Sequence, residues 1–108
     1  MDVQIVMLKT HAQNQLGWLA VVDNMAVGHI FMTEEVNKRL KFLDAWVSED
    51  HRRKGIYRKL WSTRWDYVKE YYEGWTVYAW CKPPSLPLLL EKGFSKGDTC
   101  IYVETVIK

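Results

Sequence analysis

Positive charge is concentrated in one short stretch of this sequence, residues 47–60. Five lysine and arginine side chains lie between Arg52 and Lys59, and Gly55 stands among them. An apolar run at 40–47 precedes the stretch, and a run of helical periodicity at 57–72 follows it. At the N-terminus of a helix, the first N–H groups lack intrahelical partners, and the helix dipole adds about half a positive charge. Gly55 lets the backbone adopt φ > 0 and lets a ligand approach closely. The pattern predicts an anion site, most naturally for phosphate, with a solvated basic loop as the alternative.

The residues before this loop are typical of four β-strands. Runs rich in β-branched and apolar residues predict strands at 3–8, 16–22, 26–32 and 40–47. We expect a polar turn at 11–15, a tight turn at Asn24 and Met25, and a charged loop at 34–39. In the fourth strand, alternation places Leu43, Ala45 and Val47 on one face and Phe42, Asp44 and Trp46 on the other. Both faces are largely apolar, which predicts a central strand.

The residues after the loop predict two helices and two further strands. Apolar side chains recur at three- and four-residue spacings over 57–72, which predicts a helix that ends near Gly74. A strand at 75–81 follows, so the order strand, helix, strand predicts a right-handed parallel crossover. A short helix at 85–92, ended by Gly93, and a final strand at 99–107 complete the chain.

Composition limits the class of protein. The chain has 108 residues, 48% of them hydrophobic, which predicts one folded domain over 1–108. A net charge of +2 does not by itself indicate a nucleic-acid partner. Cys81 and Cys100 fall in apolar runs, as reduced thiols of a cytoplasmic protein do, and no signal peptide or membrane span is expected. The three histidines show no ligand spacing, so we expect no metal.

Aromatic and basic residues interleave along the predicted first helix. Arg58, Arg64 and Lys69 alternate with Trp61, Trp65 and the pair at 71–72, a composition that also occurs on nucleic-acid-binding surfaces. Helical spacing instead predicts that the aromatic side chains belong to the core and that the charges form the solvated face. We therefore do not expect nucleic acid as a partner.

Two motifs resemble those of the GNAT superfamily of N-acetyltransferases. Arg52-x-x-Gly55-x-Tyr57, between a strand and a helix, is similar to the family's pyrophosphate-binding motif, although Tyr57 replaces the usual final Gly or Ala. Downstream, 90–94 reads Leu-Glu-Lys-Gly-Phe, similar to the family's Tyr-Glu-Lys-Leu-Gly-Phe. The resemblance implies an α/β (α+β) fold with a mixed, mostly antiparallel sheet, a central parallel strand pair and two main helices. The family's two helices after the first strand have no room at 11–15, so they are expected to be reduced or absent.

The resemblance implies an acetyl-CoA-dependent N-acetyltransferase that acts on a primary amine. Trp46 and Val47 would hydrogen-bond the pantetheine arm through their backbone, and Ser85 would bond it or serve as an N-cap. The remaining cofactor-binding residues form the pyrophosphate loop: Arg52, Arg53, Lys54, Gly55, Ile56, Tyr57 and Arg58. The reduced helices would leave the acceptor side open, which suits a protein acceptor or a homodimer partner that completes the wall.

The catalytic groups follow less directly from the residues. Asp44, on the fourth strand, is the candidate base for the attacking amine, and a structural carboxylate is the alternative. The family's general-acid tyrosine is replaced by Leu89 or Leu90, so the acid is expected to be absent or to be supplied by Tyr78, Tyr102 or solvent. Two rival functions follow. One is a non-catalytic acyl-CoA-binding or protein-interaction module, and the other is a nucleic-acid-associated protein that uses the basic loop.

Overall fold

A computed structural model describes residues 2–10, 14–43, 45–80, 86–96 and 102–108. Within these residues the chain forms eight strands and two α-helices. The strands are β1 (Gln4–Thr10), β2 (Gln15–Val22), β3 (Met25–Glu35), β4 (Arg39–Phe42), β5 (Trp46–Val47), β6 (Thr76–Trp80), β7 (Ser95–Lys96) and β8 (Tyr102–Val106). The helices are α1 (Ile56–Tyr71) and α2 (Leu86–Glu91), and Glu49–His51 forms a turn of 3₁₀ helix. The predicted turn at 97–98 and both cysteines lie outside the described residues.

The strands form one mixed sheet. Its order is β1-β2-β3-β4-β6-β8-β7, and β5 pairs with β3 beside this path. β4 and β6 are parallel, whereas the other pairs are antiparallel. The connection from β4 to β6 contains α1, as a parallel pair requires. The predicted mixed sheet with a central parallel pair and two helices is therefore confirmed.

The first strand connects directly to the second. β1 and β2 pair from Gln4 opposite Val21 to Thr10 opposite Gln15, so four residues, 11–14, join them. Four residues are one turn of helix at most. This confirms that the two helices expected from the family between these strands are absent or reduced.

Two of the predicted turns differ from the structure. The β2–β3 turn lies one residue earlier than expected, at Asp23 (φ 50°) and Asn24 (φ 64°), and Met25 already pairs with Val22. Two consecutive residues with positive φ form the turn type that matches strand twist. The predicted charged loop at 34–39 is shorter, because β3 extends to Glu35 and β4 begins at Arg39. Glu34 and Glu35 pair with Leu40 and Arg39 of β4, and their side chains accept hydrogen bonds from the hydroxyls of Tyr72 and Tyr78 respectively.

Helix α1 packs on one face of the sheet. Its Leu60 and Val68 are fully buried, and Trp61 is 3% exposed. Phe42, Trp61, Trp65 and Phe94 form an aromatic cluster whose ring centroids lie 5.4–6.4 Å apart. Each such pair stabilises the fold by about 0.5–1.5 kcal/mol beyond the burial of its area. The cluster fixes α1 against β4, and the loop that leads into α1 is fixed with it.

The opposite face of the sheet carries exposed apolar side chains. Strand alternation places Val6, Leu8, Trp46 and Trp80 on this face, and each is between 37% and 49% exposed. We call it the open face. No helix in the described part of the chain has the length and apolar character needed to cross a membrane.

Candidate functional site

The strand predicted at 40–47 is broken. Met32 of β3 lies opposite Phe42, but His29 lies opposite Trp46. The three residues 43–45 therefore correspond to only Ile30 and Phe31 on β3. One extra residue in one strand is a β-bulge, which bends that strand and increases its twist. The prediction of a continuous fourth strand is wrong for this reason.

The bulge moves side chains to the other face. Alternation placed Phe42 and Trp46 on the same side, and the structure places them on opposite sides. Phe42 is 3% exposed and packs edge-on against Trp61 of α1. Trp46 is 44% exposed and stacks on His29, with ring centroids 5.5 Å apart. A one-residue shift exchanges the two faces of every later residue, so Trp46 projects from the open face.

Beyond the bulge, β5 separates from β6. β4 pairs with β6 as far as Phe42 opposite Ala79, and in the described residues β5 pairs with β3 and not with β6. We call the space between β5 and the end of β6 the strand gap. A gap between two parallel strands leaves backbone groups available to an extended ligand, which can add to a strand by hydrogen bonding.

Val47 directs its backbone away from β3. The N–H of Ser48 donates to the carbonyl oxygen of Val27 at 2.7 Å, so Val47 and Gly28 form a non-hydrogen-bonded pair. The N–H and C=O of Val47 therefore point toward the strand gap. Trp46 lies at the alternate, hydrogen-bonded position, so its backbone faces β3. Of the two predicted pantetheine-binding residues, Val47 directs its backbone N–H to the gap, whereas the side chain of Trp46 lies on the open face.

Gly28 permits the close approach of β5 to β3. A Cβ built on this residue would lie 2.9 Å from the carbonyl oxygen of Trp46 and 3.3 Å from Cδ1 of Leu60. The first distance is shorter than side chains tolerate, and the second is tight. Glycine is therefore required where the strand and α1 meet beneath the gap.

The loop between β5 and α1 ends in a left-handed residue. Gly55 is the N-cap of α1, with φ 80° and ψ 3°, and no side chain caps the helix. A Cβ built on Gly55 would meet no atom within 4 Å, so the space beside it is open. The first intrahelical bond runs from the N–H of Lys59 to the carbonyl of Gly55. The N–H groups of Ile56, Tyr57 and Arg58 precede this bond, so they form the end of the helix that an anion can approach.

The charge at this helix end is opposite to what the dipole favours. The first turn of α1 contains no acidic residue, and its Arg58 and Lys59 are exposed. Acidic groups stabilise a helix N-terminus by about 0.3–1 kcal/mol, and basic groups do the reverse. Lys59 extends toward β1, where its Nζ donates to the carbonyl of Val3 at 3.0 Å. The arginines remain at the cleft, which suits a bound polyanion.

One cleft runs from the helix N-terminus to β5, the strand that borders the strand gap. It has a volume of about 850 Å³ and contains eight of the ten predicted cofactor-binding residues: Trp46, Val47, Arg52, Arg53, Gly55, Ile56, Tyr57 and Arg58. Ala45 and His51 also line it. Lys54 is exposed and is not among its lining residues, and Ser85 lies outside the described residues. The sequence motif and the strand beside the gap thus line one cleft.

Local hydrogen bonds hold the cleft wall. Nε of Arg52 donates to the carbonyl of Val47 at 3.0 Å, which ties the loop to β5. Ser48 Oγ and His51 Nδ1 lie 2.7 Å apart and close the 3₁₀ turn. Tyr57 is partly buried and packs against the core while it lines the cleft. These contacts position the loop before any ligand binds.

The predicted catalytic residues are only partly described. Asp44 lies outside the described residues. The hydroxyl of Tyr78 donates to Oε1 of Glu35 at 2.5 Å, and the guanidinium of Arg39 lies 4.5 Å from its ring centroid. Glu35 pairs with Arg39, at the end of β4 away from the bulge. This hydroxyl therefore has a carboxylate partner directed away from the strand gap, and its role as an acid stays a prediction.

The leucines at the family's tyrosine position differ in exposure. Leu89 is 4% exposed and belongs to the core, whereas Leu90 is 46% exposed. Neither side chain can donate a proton. Among the described residues, no three His, Cys, Asp or Glu side chains are grouped closely enough to hold a metal ion.

Two residues near the site were not anticipated. The Nδ1 atom of His29 is buried and has no hydrogen-bond partner within the described ranges, and its ring stacks on Trp46. Arg64 was predicted on the solvated face of α1, and that prediction is wrong because it is 2% exposed. Its spacing could have revealed this, since Leu60, Arg64 and Val68 follow one another at intervals of four along one helix face.

Comparison with solved structures gives the same fold. The chain superposes on the ribosomal-protein-S18-alanine N-acetyltransferase of Escherichia coli with a TM-score of 0.74, at 14% identity over 91% of this chain and 72% of that one. A GNAT-family acetyltransferase of Staphylococcus aureus Mu50 gives 0.72, at 16% identity over 89% and 70%. The PaiA N-acetyltransferase of Thermoplasma acidophilum, solved with coenzyme A, gives 0.70, at 15% identity over 86% and 61%.

Sequence comparison identifies the family. A search of curated proteins gives no match. The model of the acetyltransferase (GNAT) family, however, matches residues 3–105, a range that includes the strand gap, the glycine loop and α1. Because that match spans nearly the whole chain and the fold agrees with it, this protein belongs to the GNAT family of acetyltransferases.

Proposed function

We propose that this protein is an acetyl-CoA-dependent N-acetyltransferase that moves an acetyl group to a primary amine. The observation that carries the proposal is the cleft that runs from the open N-terminus of α1 to β5, the strand that borders the strand gap. A helix N-terminus suits a diphosphate, and a strand gap suits the amide-bearing pantetheine arm. Few other ligands need both features side by side.

Different residues of the cleft would bind different parts of the acetyl-CoA molecule. The N–H groups of Ile56, Tyr57 and Arg58 would receive the diphosphate, with Arg52 and Arg53 supplying charge. Lys54 would contribute long-range positive charge. The N–H of Val47 would donate to the pantetheine arm along the gap, and Ser85 would bond the arm or the sulfur. The PaiA structure supports this ligand, because that relative was solved with coenzyme A.

The proposed reaction is direct attack in a ternary complex. The amine nitrogen attacks the thioester carbonyl, the C–N bond forms, and the C–S bond breaks to release the thiolate. The nitrogen loses a proton and the thiolate gains one. A primary amine of pKa ~10 is mostly protonated at neutral pH, so a base is needed, and Asp44 holds that role in our proposal. Tyr78 already donates to Glu35, so we assign the thiolate's proton to solvent.

The acceptor would approach from the open face. Trp46 and Trp80 project from this face on strands that border the gap, and His29 stacks beside Trp46. The short connection between β1 and β2 leaves the approach wide. We propose a protein lysine, a protein N-terminus or a small amine as acceptor, with a second copy of the chain as one way to complete the wall. A cytoplasmic location follows from this chemistry, because acetyl-CoA is an intracellular substrate.

Two measurements test the proposal. Acetyl-CoA at about a hundred times its Kd should stabilise the folded protein by ~2.7 kcal/mol, and an oligonucleotide at the same concentration should not. Thiol release, followed with a thiol-reactive dye, should then require both acetyl-CoA and a primary amine. Stabilisation without amine-dependent thiol release would indicate a non-catalytic acyl-CoA-binding module. Stabilisation by the oligonucleotide alone would indicate the nucleic-acid alternative.

A further inference from the structure

Arg64 is a buried cation beside the β-bulge. Its side chain is 2% exposed, and its Nη1 donates to the carbonyl oxygens of Phe31 at 2.9 Å and Leu43 at 3.1 Å. The guanidinium also lies 3.7 Å from the ring centroid of Phe42 and 5.3 Å from that of Trp61. A residue of α1 therefore bonds two backbone carbonyls of the sheet.

The burial of Arg64 is costly for stability alone. Transferring a guanidinium from water to a protein interior costs several kcal/mol, which its hydrogen bonds and other interactions inside the protein must offset. Leu60 and Val68, one helical turn to either side, are fully buried apolar residues. An arginine between them indicates a task that a methionine or leucine could not perform.

The two carbonyls identify that task. Leu43 is the first residue of the bulged segment, and Phe31 lies opposite it on β3. The carbonyl of Phe31 accepts both the N–H of Leu43, at 3.0 Å, and Nη1 of Arg64. A bulge leaves one residue of the bulged strand unpaired and disrupts the ladder beside it. Arg64 donates to both carbonyls from the α1 side of the sheet and connects the bulge to the helix whose N-terminus forms the phosphate end of the cleft.

We propose that Arg64 is a positioning residue for the acyl donor. It fixes the bulge between β4 and β5, and the bulge in turn directs the backbone N–H of Val47 into the strand gap. Without the guanidinium, the bulge relaxes and the β3–β5 pairing weakens. The role in donor binding rests on the proposed function, whereas the effect on the bulge does not.

The test compares Arg64→Met, Arg64→Lys and the control Lys69→Met in the full chain. Lys69 lies on the same helix but is exposed, so Lys69→Met removes the same charge without touching the bulge. Amide hydrogen exchange at Ser48, whose N–H donates to Val27, reports the β3–β5 pairing without any ligand. Calorimetry with coenzyme A reports donor affinity, and thermal unfolding reports stability.

Arg64→Met should lose thermal stability because the carbonyl of Leu43 loses its donor, but it should remain folded well above the assay temperature. It should exchange the Ser48 amide at least tenfold faster and bind coenzyme A at least tenfold more weakly. Arg64→Lys should lie between wild type and Arg64→Met, because lysine is shorter and cannot reach both carbonyls. A folded Arg64→Met with wild-type exchange and affinity would overturn the proposal. If Arg64→Met does not fold, wild-type exchange and affinity in Arg64→Lys would overturn it equally. If wild-type protein does not bind coenzyme A, the proposed function fails, and Ser48 exchange still decides the role of Arg64.

Discussion

Gly55→Asp should weaken coenzyme A binding by more than it lowers the stability of the fold. The residue has φ 80°, and a Cβ there would enter open space, so the cost of substitution comes from the backbone conformation. A non-glycine residue in the left-handed region costs about 1–2 kcal/mol. An aspartate at a helix N-terminus recovers about 0.3–1 kcal/mol through the dipole. The net loss of stability should be about 1 kcal/mol, or roughly 4–8 °C in Tm for a domain of this size.

The loss of ligand affinity should be larger than the loss of stability. A carboxylate roughly 5 Å from one phosphate charge, at an effective dielectric of about 20, opposes binding by about 3 kcal/mol. This corresponds to a weakening of Kd by roughly a hundredfold. Gly55→Ala, which adds the Cβ without the charge, should weaken coenzyme A less than Gly55→Asp does.

Gly74→Asp is the matched control. Gly74 has φ 85°, and a Cβ built on it also meets no atom within 4 Å, but it follows the C-terminus of α1. An aspartate there pays the same backbone cost and opposes the dipole, so Gly74→Asp should lose more stability than Gly55→Asp. Its affinity for coenzyme A, measured by calorimetry well below both Tm values, should match wild type. Equal affinities in Gly55→Asp and Gly74→Asp would refute the assignment of the anion site.

Three further substitutions test the chemistry and the sheet. Asp44→Asn should lower turnover at least tenfold with coenzyme A affinity within twofold of wild type; steady-state kinetics with unchanged kcat would make Asp44 structural. Tyr78→Phe should keep kcat within about threefold and lose about 1–2 kcal/mol of stability through Glu35, whereas a hundredfold fall in kcat would restore Tyr78 as the acid. Burial, and then the hydrogen bond to Glu34, raises the pKa of Tyr72 above its ordinary value of ~10. A raised pKa means that the folded state holds this proton more tightly, so its contribution is complete below pH ~10 and is lost above it. Denaturant unfolding from pH 8 to 11 should show a steeper loss in wild type than in Tyr72→Phe, and parallel curves would contradict the pKa assignment.

The anion loop could be predicted because its signals are local. A glycine before a helix and a run of basic residues are both visible within ten positions. The structure adds the φ of 80° at Gly55 and a second left-handed residue at Arg53, with φ 62°. Of the predicted cofactor-binding residues that the structure describes, only Lys54 does not line the cleft.

The strand gap could not be predicted from local alternation. The run at 40–47 is apolar throughout, and a bulge exists only relative to the register of β3, which is set by residues ten or more positions away. One extra residue then reversed the expected faces of Phe42 and Trp46. Periodicity along a single segment contains no information about this mismatch.

The polar contacts around the site were also non-local. Tyr78 and Glu35 are 43 residues apart, and Arg64 bonds the carbonyl of Phe31 from 33 residues away. A charged residue on a helix is usually solvated, so Arg64 was expected on the solvated face together with Arg58 and Lys69. Its position midway between Leu60 and Val68 on one helix face could have predicted that it is buried, because the face of a helix on which a residue lies decides its burial more than its charge does.

A titration of ¹⁵N-labelled protein with coenzyme A, followed by amide resonances, tests the central claim most directly. If the cleft binds the diphosphate at α1 and the pantetheine in the strand gap, the largest shifts should occur at Val47 and at Ile56, Tyr57 and Arg58. The amide resonances of the β1–β2 hairpin should not shift. Saturable binding with shifts confined to other surfaces, or no shifts at millimolar ligand, would contradict this assignment of the site.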